Sequence, residues 1–359
     1  MDHYKAFCSV LDAHPAGAPF SEALEEILHL LFPGDEIRIA LAMSFALKTT
    51  DEIMQRVDLS PEEVREHLAA MAGKGVIFSR MTKRGQGYAL IPTTSLCERT
   101  MQRSNSSPQY ERLKTLWKQY RADGMIASVC GEVTPLMRII PVESEVAHTP
   151  NILPHEVVSN LIRKSGTIAV SDCSCRVIEQ RCEAPMETCF NFGSMAEFLI
   201  DKSLARRVSP EEALAILDKT EEAGLVHCGD NTTDRPNKIC NCCPCCCLFL
   251  KGLLEIGNFH AVAASSFHAW VETEKCTGCE VCCERRCRVG ALALENDKVQ
   301  VDAHTCIGCG LCASVCPTDA IEMKKRQAPA QTPPTSRDMA VKVLTEKGRL
   351  DAFMDVMMR

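Results

Sequence analysis

The stretch Cys306-Ile-Gly-Cys309-Gly-Leu-Cys312-Ala-Ser-Val-Cys316-Pro317 decides how the C-terminal third of this 359-residue chain folds. Its four cysteines are separated by two, two and three residues, and a proline closes the run. Upstream, Cys276-x2-Cys279-x2-Cys282 begins a second copy, and the thirty-residue offset between Cys276 and Cys306 marks an internal repeat. Between the copies, Ala291 to Leu294 and Lys298 to Val301 alternate around Glu295-Asn296-Asp297, a pattern that predicts a β-hairpin.

The rest of the cysteines follow the same bias. The chain has twenty-three, of which only Cys8, Cys97 and Cys130 precede Cys173. These three are isolated and are expected to be buried small hydrophobes. The N-terminus lacks a basic segment followed by an apolar one, so it does not read as a secretory signal. The apolar stretch from Leu248 to Trp270 is interrupted by Lys251, Glu255, Asn258, His260 and His268, which is poor material for a membrane span. A cytoplasmic location is therefore expected, where thiols stay reduced and a dense cysteine set points to metal ligation. A hydrophobic share of 46% and a charged share of 24% fit ordinary globular domains, and a net charge of -7 gives no general field for nucleic acid or an anionic membrane.

Over about Glu272 to Lys325 the repeat resembles the two-cluster bacterial-type ferredoxin family. That resemblance implies two [4Fe-4S] clusters, each held by three cysteines of one copy and a remote fourth from the other. One cluster would take Cys276, Cys279, Cys282 and Cys316, and the other Cys306, Cys309, Cys312 and Cys287. The first copy departs from the family pattern: four residues separate Cys282 from Cys287, and Arg288 stands where proline is expected. Cys283 is an alternative to Cys282, which is preferred because it keeps the spacing. Zinc is the competing metal, but interleaved triplets with remote partners are foreign to it. Arg285, Arg286 and Arg288 read as a solvated face, or as a means to raise a cluster potential or receive an acidic partner.

A second constellation lies upstream. Eleven cysteines fall between Cys173 and Cys247. Cys173 and Cys175 close a predicted strand, Thr167 to Ser171. Cys182 and Cys189 follow on a loop, and Cys240-Asn-Cys242-Cys243-Pro-Cys245-Cys246-Cys247 returns about fifty residues later. Asp172-Cys-x-Cys-Arg176, Cys189-Phe-Asn-Phe-Gly193, Glu221 to His227 and Cys240-Asn-Cys-Cys243 together resemble a recurrent, mostly uncharacterised class of anaerobe proteins that end in a ferredoxin module. The resemblance covers roughly Pro154 to Lys325 and implies Cys173, Cys175, Cys182, Cys189, Cys240, Cys242, Cys243 and Cys246 as ligands of one or two further iron–sulfur clusters. Cys228, Cys245 and Cys247 are weaker candidates. Zinc is the alternative here, and adjacent cysteine pairs also resemble the non-cubane clusters of heterodisulfide-reductase-like proteins. His227, His260 and His268 are read as core or surface residues.

The N-terminal region predicts helices over 35–46 and 50–57 and from Ser60-Pro61-Glu62-Glu63, a capped start that ends at Gly73-Lys-Gly75. Val76 to Phe78 and Tyr88 to Ile91 then read as strands joined by a basic loop, Arg80 to Gly87. This order resembles a winged helix. Residues 1–95 hold nine Lys and Arg against thirteen Asp and Glu, and the third helix opens with Glu62, Glu63 and Glu66. DNA is thus a poor partner, and docking or homodimerisation is the plainer role.

The expected architecture is α+β and multidomain: a winged-helix-like domain over 1–95, a linker over 96–108, a central Cys-rich domain over 109–265, a two-cluster ferredoxin-like domain over 266–325, a Pro-rich connector over 326–335 and a C-terminal helix over 336–359. Further helices are expected over 109–120 and 154–164 and from the capped Ser209-Pro210, with a strand over 135–142. No Gly-x-Gly-x-x-Gly fingerprint is present, which argues for one-electron chemistry without a nucleotide. The function expected is an electron-transfer protein working with a soluble redox partner or enzyme complex. The alternatives are a redox-responsive transcription regulator and a reductase that binds substrate at its central site.

Overall fold

The computed structural model describes residues 2–102, 107–150, 152–234, 236–329 and 331–359. At the N-terminus, α1 (His3–Asp12) and α2 (Glu22–Leu31) bury Phe7, Leu11, Leu24, Ile27 and Leu28. Next come α3 (Glu36–Ala42), β1 (Lys48–Thr49), α4 (Thr50–Met54), α5 (Pro61–Lys74), β2 (Phe78–Thr82) and β3 (Gly85–Ala89). The Ser60/Glu63 capping box closes in both directions, and Gly75 ends α5 in the left-handed conformation.

Two local expectations change. The first helix stops at Ala42, because Ser44 leaves the helical path and its carbonyl accepts from Leu90 N–H (2.8 Å). The freed chain then adds β1 to the hairpin, giving a three-stranded sheet in the order β1-β3-β2. The strands also run further into the basic segment than expected. Lys83-Arg84 alone makes the turn, with Thr82 Oγ1 accepting from Arg84 N–H and donating to the Gly85 carbonyl. Val76 and Ile77 enter the core instead.

The segment expected to begin a linker folds as α6 (Thr93–Met101), which buries Leu96, Cys97, Arg99 and Met101. The centre of that linker, 103–106, lies outside the described residues. α7 (Pro108–Tyr120) continues through a wide turn at Arg121–Met125 into α8 (Ile126–Cys130).

The central region is built on β4 (Met137–Ile140), α9 (Val158–Arg163), β5 (Ile168–Asp172), α10 (Ser174–Glu179), β6 (Glu187–Phe192), α11 (Gly193–Asp201), β7 (Arg206–Val208), α12 (Pro210–Glu222), β8 (Val226–Asp230), β9 (Lys238–Cys242) and α13 (Leu248–Leu254). The helix expected over 154–164 is broken at the extended Val157, leaving a short turn at Pro154–Glu156 ahead of α9. The strands form one antiparallel six-stranded sheet in the order β4-β8-β9-β6-β5-β7. One face carries Ile140, Ile168, Val170, Phe190 and Ile239, packed with Val158, Ile162, Ala213 and Leu217 of α9 and α12. Alternation along β6 and β9 turns Cys189, Cys240 and Cys242 to the opposite face.

At the C-terminal end, β10 (Phe267–Val271) pairs with β13 (Ile321–Lys325) and brackets the hairpin of β11 (Leu292–Glu295) and β12 (Lys298–Val301). The tail forms two helices, α14 (Ser336–Glu346) and α15 (Leu350–Met357), where one was expected, with Gly348 left-handed between them. It docks on the body: Glu346 accepts from Thr134 N–H and Oγ1–H, Lys347 donates to the Ser128 carbonyl and Arg349 pairs with Asp12.

Candidate metal centres

The two ferredoxin-type runs follow one plan. In each, the residue before the second cysteine is a glycine in the left-handed region, Gly278 (φ +69°) and Gly308 (φ +73°). A Cβ there would fall 2.6 Å from the Asp297 carbonyl oxygen in the first case and 2.2 Å from that of Phe267 in the second. The remote cysteines also correspond. Ala291 N–H donates to Cys287 Sγ (3.1 Å) and Ala320 N–H to Cys316 Sγ (3.2 Å). Backbone donors aimed at sulfur favour the thiolate form that metals require.

The extra residue in the first copy is absorbed locally. Cys282–Arg286 forms a single wide turn in which Cys287 N–H reaches back five residues to the Cys282 carbonyl (2.8 Å), whereas Cys316 N–H reaches back three to Ala313. Cys287 thereby keeps the N–H···S contact of its counterpart despite the insertion. Cys276, Cys282 and Cys312 are buried together with Phe267, Leu292, Val299 and Ala313, while Cys283 is half-buried at the edge, 3.9 Å from Cys282 Sγ. Cys279 is exposed, and Cys306, Cys309 and Cys316 are intermediate.

Arg286 and Arg288 are neither a solvated face nor free for a partner. They donate to the carbonyls of Glu221, Glu222, Ala223 and Gly224 at the C-terminal end of α12, fastening this module to the central region.

The eleven central cysteines separate into two groups. In the first, the ladder sets Cys228, Cys240 and Cys189 side by side on β8, β9 and β6, with Cys242 two residues along β9. Cys173 joins from the end of β5, Cys175 from α10 and Cys247 from the start of α13. Hydrogen bonds from the thiols of Cys175 and Cys189 hold Cys173 well below the usual thiol range, and those from Cys189 and Cys242 do the same for Cys240. Of the eight expected ligands this group takes Cys173, Cys175, Cys189, Cys240 and Cys242. Cys182, Cys243 and Cys246 turn away and meet Cys245 elsewhere.

The first group opens on a cavity of about 510 Å³, within the range of small-ligand sites. Its other walls include Cys97 and Arg99 of α6, Asn191, Lys238, and Met339 and Ala340 of α14. Arg99 is 4% exposed and its Nη1 has no partner among the described residues; Asn191 Nδ2 and Gln102 Oε1 are likewise unpartnered. Burial lowers the Arg99 guanidinium to about 10. Lys238 is paired with Glu98. Sequence reasoning missed the α6 residues, since a single cysteine and arginine in a polar segment carry no spacing signal. His227 is engaged by Asn241 and Glu221 and adds no ligand, and His260 is exposed.

Residues 299–322 match the 4Fe-4S binding domain family. The chain is also 37% identical over 49 residues to one member of the ion-translocating oxidoreductase complex of Methanosarcina acetivorans, covering 14% of this chain and 18% of that protein. It is 45% identical over 59 residues to the indolepyruvate oxidoreductase subunit IorA of Thermococcus kodakarensis, covering 15% and 9%. Against the hydrogenase-4 component A of Escherichia coli it is 34% identical over 85 residues, covering 23% and 40%. The chain thus spans less than half the length of each of these relatives. No solved structure matches it. Among the described residues no helix is long and apolar enough to cross a membrane.

Proposed function

We propose that this chain is an iron–sulfur electron-transfer protein or subunit that passes single electrons between a redox partner and its own central thiol site. Residues 272–325 would hold two [4Fe-4S] clusters, through Cys276, Cys279, Cys282 and Cys316 and through Cys306, Cys309, Cys312 and Cys287. The fit rests on the paired N–H···S contacts and the repeated left-handed glycines. When bound, such clusters supply one-electron redox chemistry.

The observation that carries this reading is one continuous apolar core. Cys287, Cys306 and Cys309 pack into the same buried cluster as Cys175, Cys240, Cys242 and Cys247, with Ile178, Val226, Ile307 and Leu311 among them. Apolar side chains thus link the two cysteine sets within one cluster. The names of the matched relatives, all oxidoreductase or hydrogenase subunits or components, support an enzyme complex as partner. The N-terminal helices and hairpin we read as a winged-helix-like docking module. The exposed start of α5 is acidic, and Arg84 on the turn is paired with Glu52, which favours a protein over DNA.

Anaerobic iron and sulfide analysis with EPR of the reduced protein tests the reading. About eight irons are expected from the ferredoxin module and four or eight more from the central group. Fewer than about seven irons would overturn the two-cluster assignment.

A second reading, a reductase acting at the central site, is favoured by the unpartnered Arg99, Asn191 and Gln102 atoms facing a cavity beside seven thiols. The Arg99 and Asn191 donors suit a small anionic substrate that also carries a hydrogen for Gln102 Oε1. Arg99→Leu would raise KM for such a substrate while leaving iron content and EPR signals unchanged; no effect on KM would remove Arg99 from the site.

A further inference from the structure

We infer that Cys182, Cys243, Cys245 and Cys246 bind a single tetrahedral zinc ion, separate from every iron–sulfur ligand set of the chain. Their four sulfur atoms lie within 4.8 Å of one another. Cys182 and Cys243 are 3.6 Å apart, Cys245 and Cys246 3.7 Å, and Cys182 and Cys246 3.9 Å. Four sulfurs each about 2.3 Å from one ion sit about 3.8 Å apart along the edges of the tetrahedron they form. These three separations match the edges of such a tetrahedron, all six stay within 4.8 Å, and the measured ones are far too long for disulfide bonds.

The same molecule supplies a control. A cubane seats each thiolate on its own iron and so spreads the sulfurs. Cys306, Cys309 and Cys312, within the matched 4Fe-4S domain, do not gather in this way. Nor do the seven thiols of the central sheet face, which meet one another in a row that runs from Cys175 through Cys173, Cys189 and Cys240 to Cys242. Among the described residues only the Cys182 group brings three or more ligand atoms so close.

The surroundings suit a closed tetrathiolate site, whose net charge with zinc is negative. Arg176, buried and held by the Asn241 carbonyl, brings its Nη1 to 3.8 Å from Cys243 Sγ. Fixed donors around sulfur are the usual support of such sites. Four protein ligands leave no open position, so the ion is structural. It pins the loop after α10 to the turn after β9, the two segments that follow directly on the elements bearing Cys175 and Cys242.

Metal analysis and zinc-edge X-ray absorption on the full chain, purified anaerobically, test this. One zinc per chain is expected beside an undiminished iron and sulfide content, with a shell of four sulfurs at about 2.3 Å. In Cys182→Ser/Cys245→Ser, zinc should fall by at least tenfold while iron and sulfide stay constant. Parallel loss of iron and sulfide would return these cysteines to a cluster. Absence of zinc, iron in its place, or a shell of nitrogen and oxygen would also overturn the assignment. Should the double variant fail to fold, the wild-type absorption spectrum decides. The inference does not depend on the electron-transfer reading, because low iron with one tetrathiolate zinc would sink only the latter.

Discussion

Gly308 shows how little freedom a single position retains beside these cysteines. Alanine there must adopt φ +73° and place a Cβ 2.2 Å from the Phe267 carbonyl oxygen, whereas Gly290, at φ +70°, faces open space. Gly290→Ala should therefore cost only the left-handed penalty, about 1–2 kcal/mol. Gly308→Ala must also displace β10, and is expected to lower stability further and to release iron from the module. Thermal unfolding with iron analysis of both variants checks the contrast. Arg121 makes a different case. It is 2% exposed, donates to the Cys246 carbonyl (2.7 Å) and lies 3.5 Å from Glu179, which is itself 2% exposed and shared with Lys251. Arg121→Met removes one partner of a buried charge network and should cost about 3–5 kcal/mol in denaturant unfolding.

At the scale of elements, the wide turn at Cys282–Arg286 decides which of two adjacent thiols enters the module. Cys282 is buried beside Cys276 and Cys312, and Cys283 is at the edge. Cys283→Ser should leave iron and sulfide unchanged, while Cys282→Ser should lose about four irons. The β-hairpin over 292–301 and the helices begun at Ser60 and Ser209 were legible because caps, prolines and alternation are local signals. α6 was not, since its residues are polar and its helix is secured by burying Leu96 and Cys97 against other parts of the chain. The cysteines stood out as candidate metal ligands by density alone. Their division into two groups was not, because Cys242 and Cys243 are neighbours in sequence and part company only through the direction of the backbone at the end of β9.

On the scale of the whole molecule, the tail belongs to the central site. Ser336, Met339 and Ala340 of α14 form part of the cavity wall, and Arg349 reaches Asp12 on α1. A chain stopped after Thr335 should open that wall and uncover the contacts of Val343 and Leu344 on the body. Its absorbance in the iron–sulfur region is expected to bleach several-fold faster in air than that of the full chain, at equal starting iron.

The same clasp orders events in time. Asp12 and Arg349 are separated by 337 positions, so the contact between them waits until all of that intervening chain has been made. Every cysteine precedes α14 in the sequence. A nascent chain therefore presents all these thiols before α14 has been made, and the central cavity lacks that part of its wall until α14 settles.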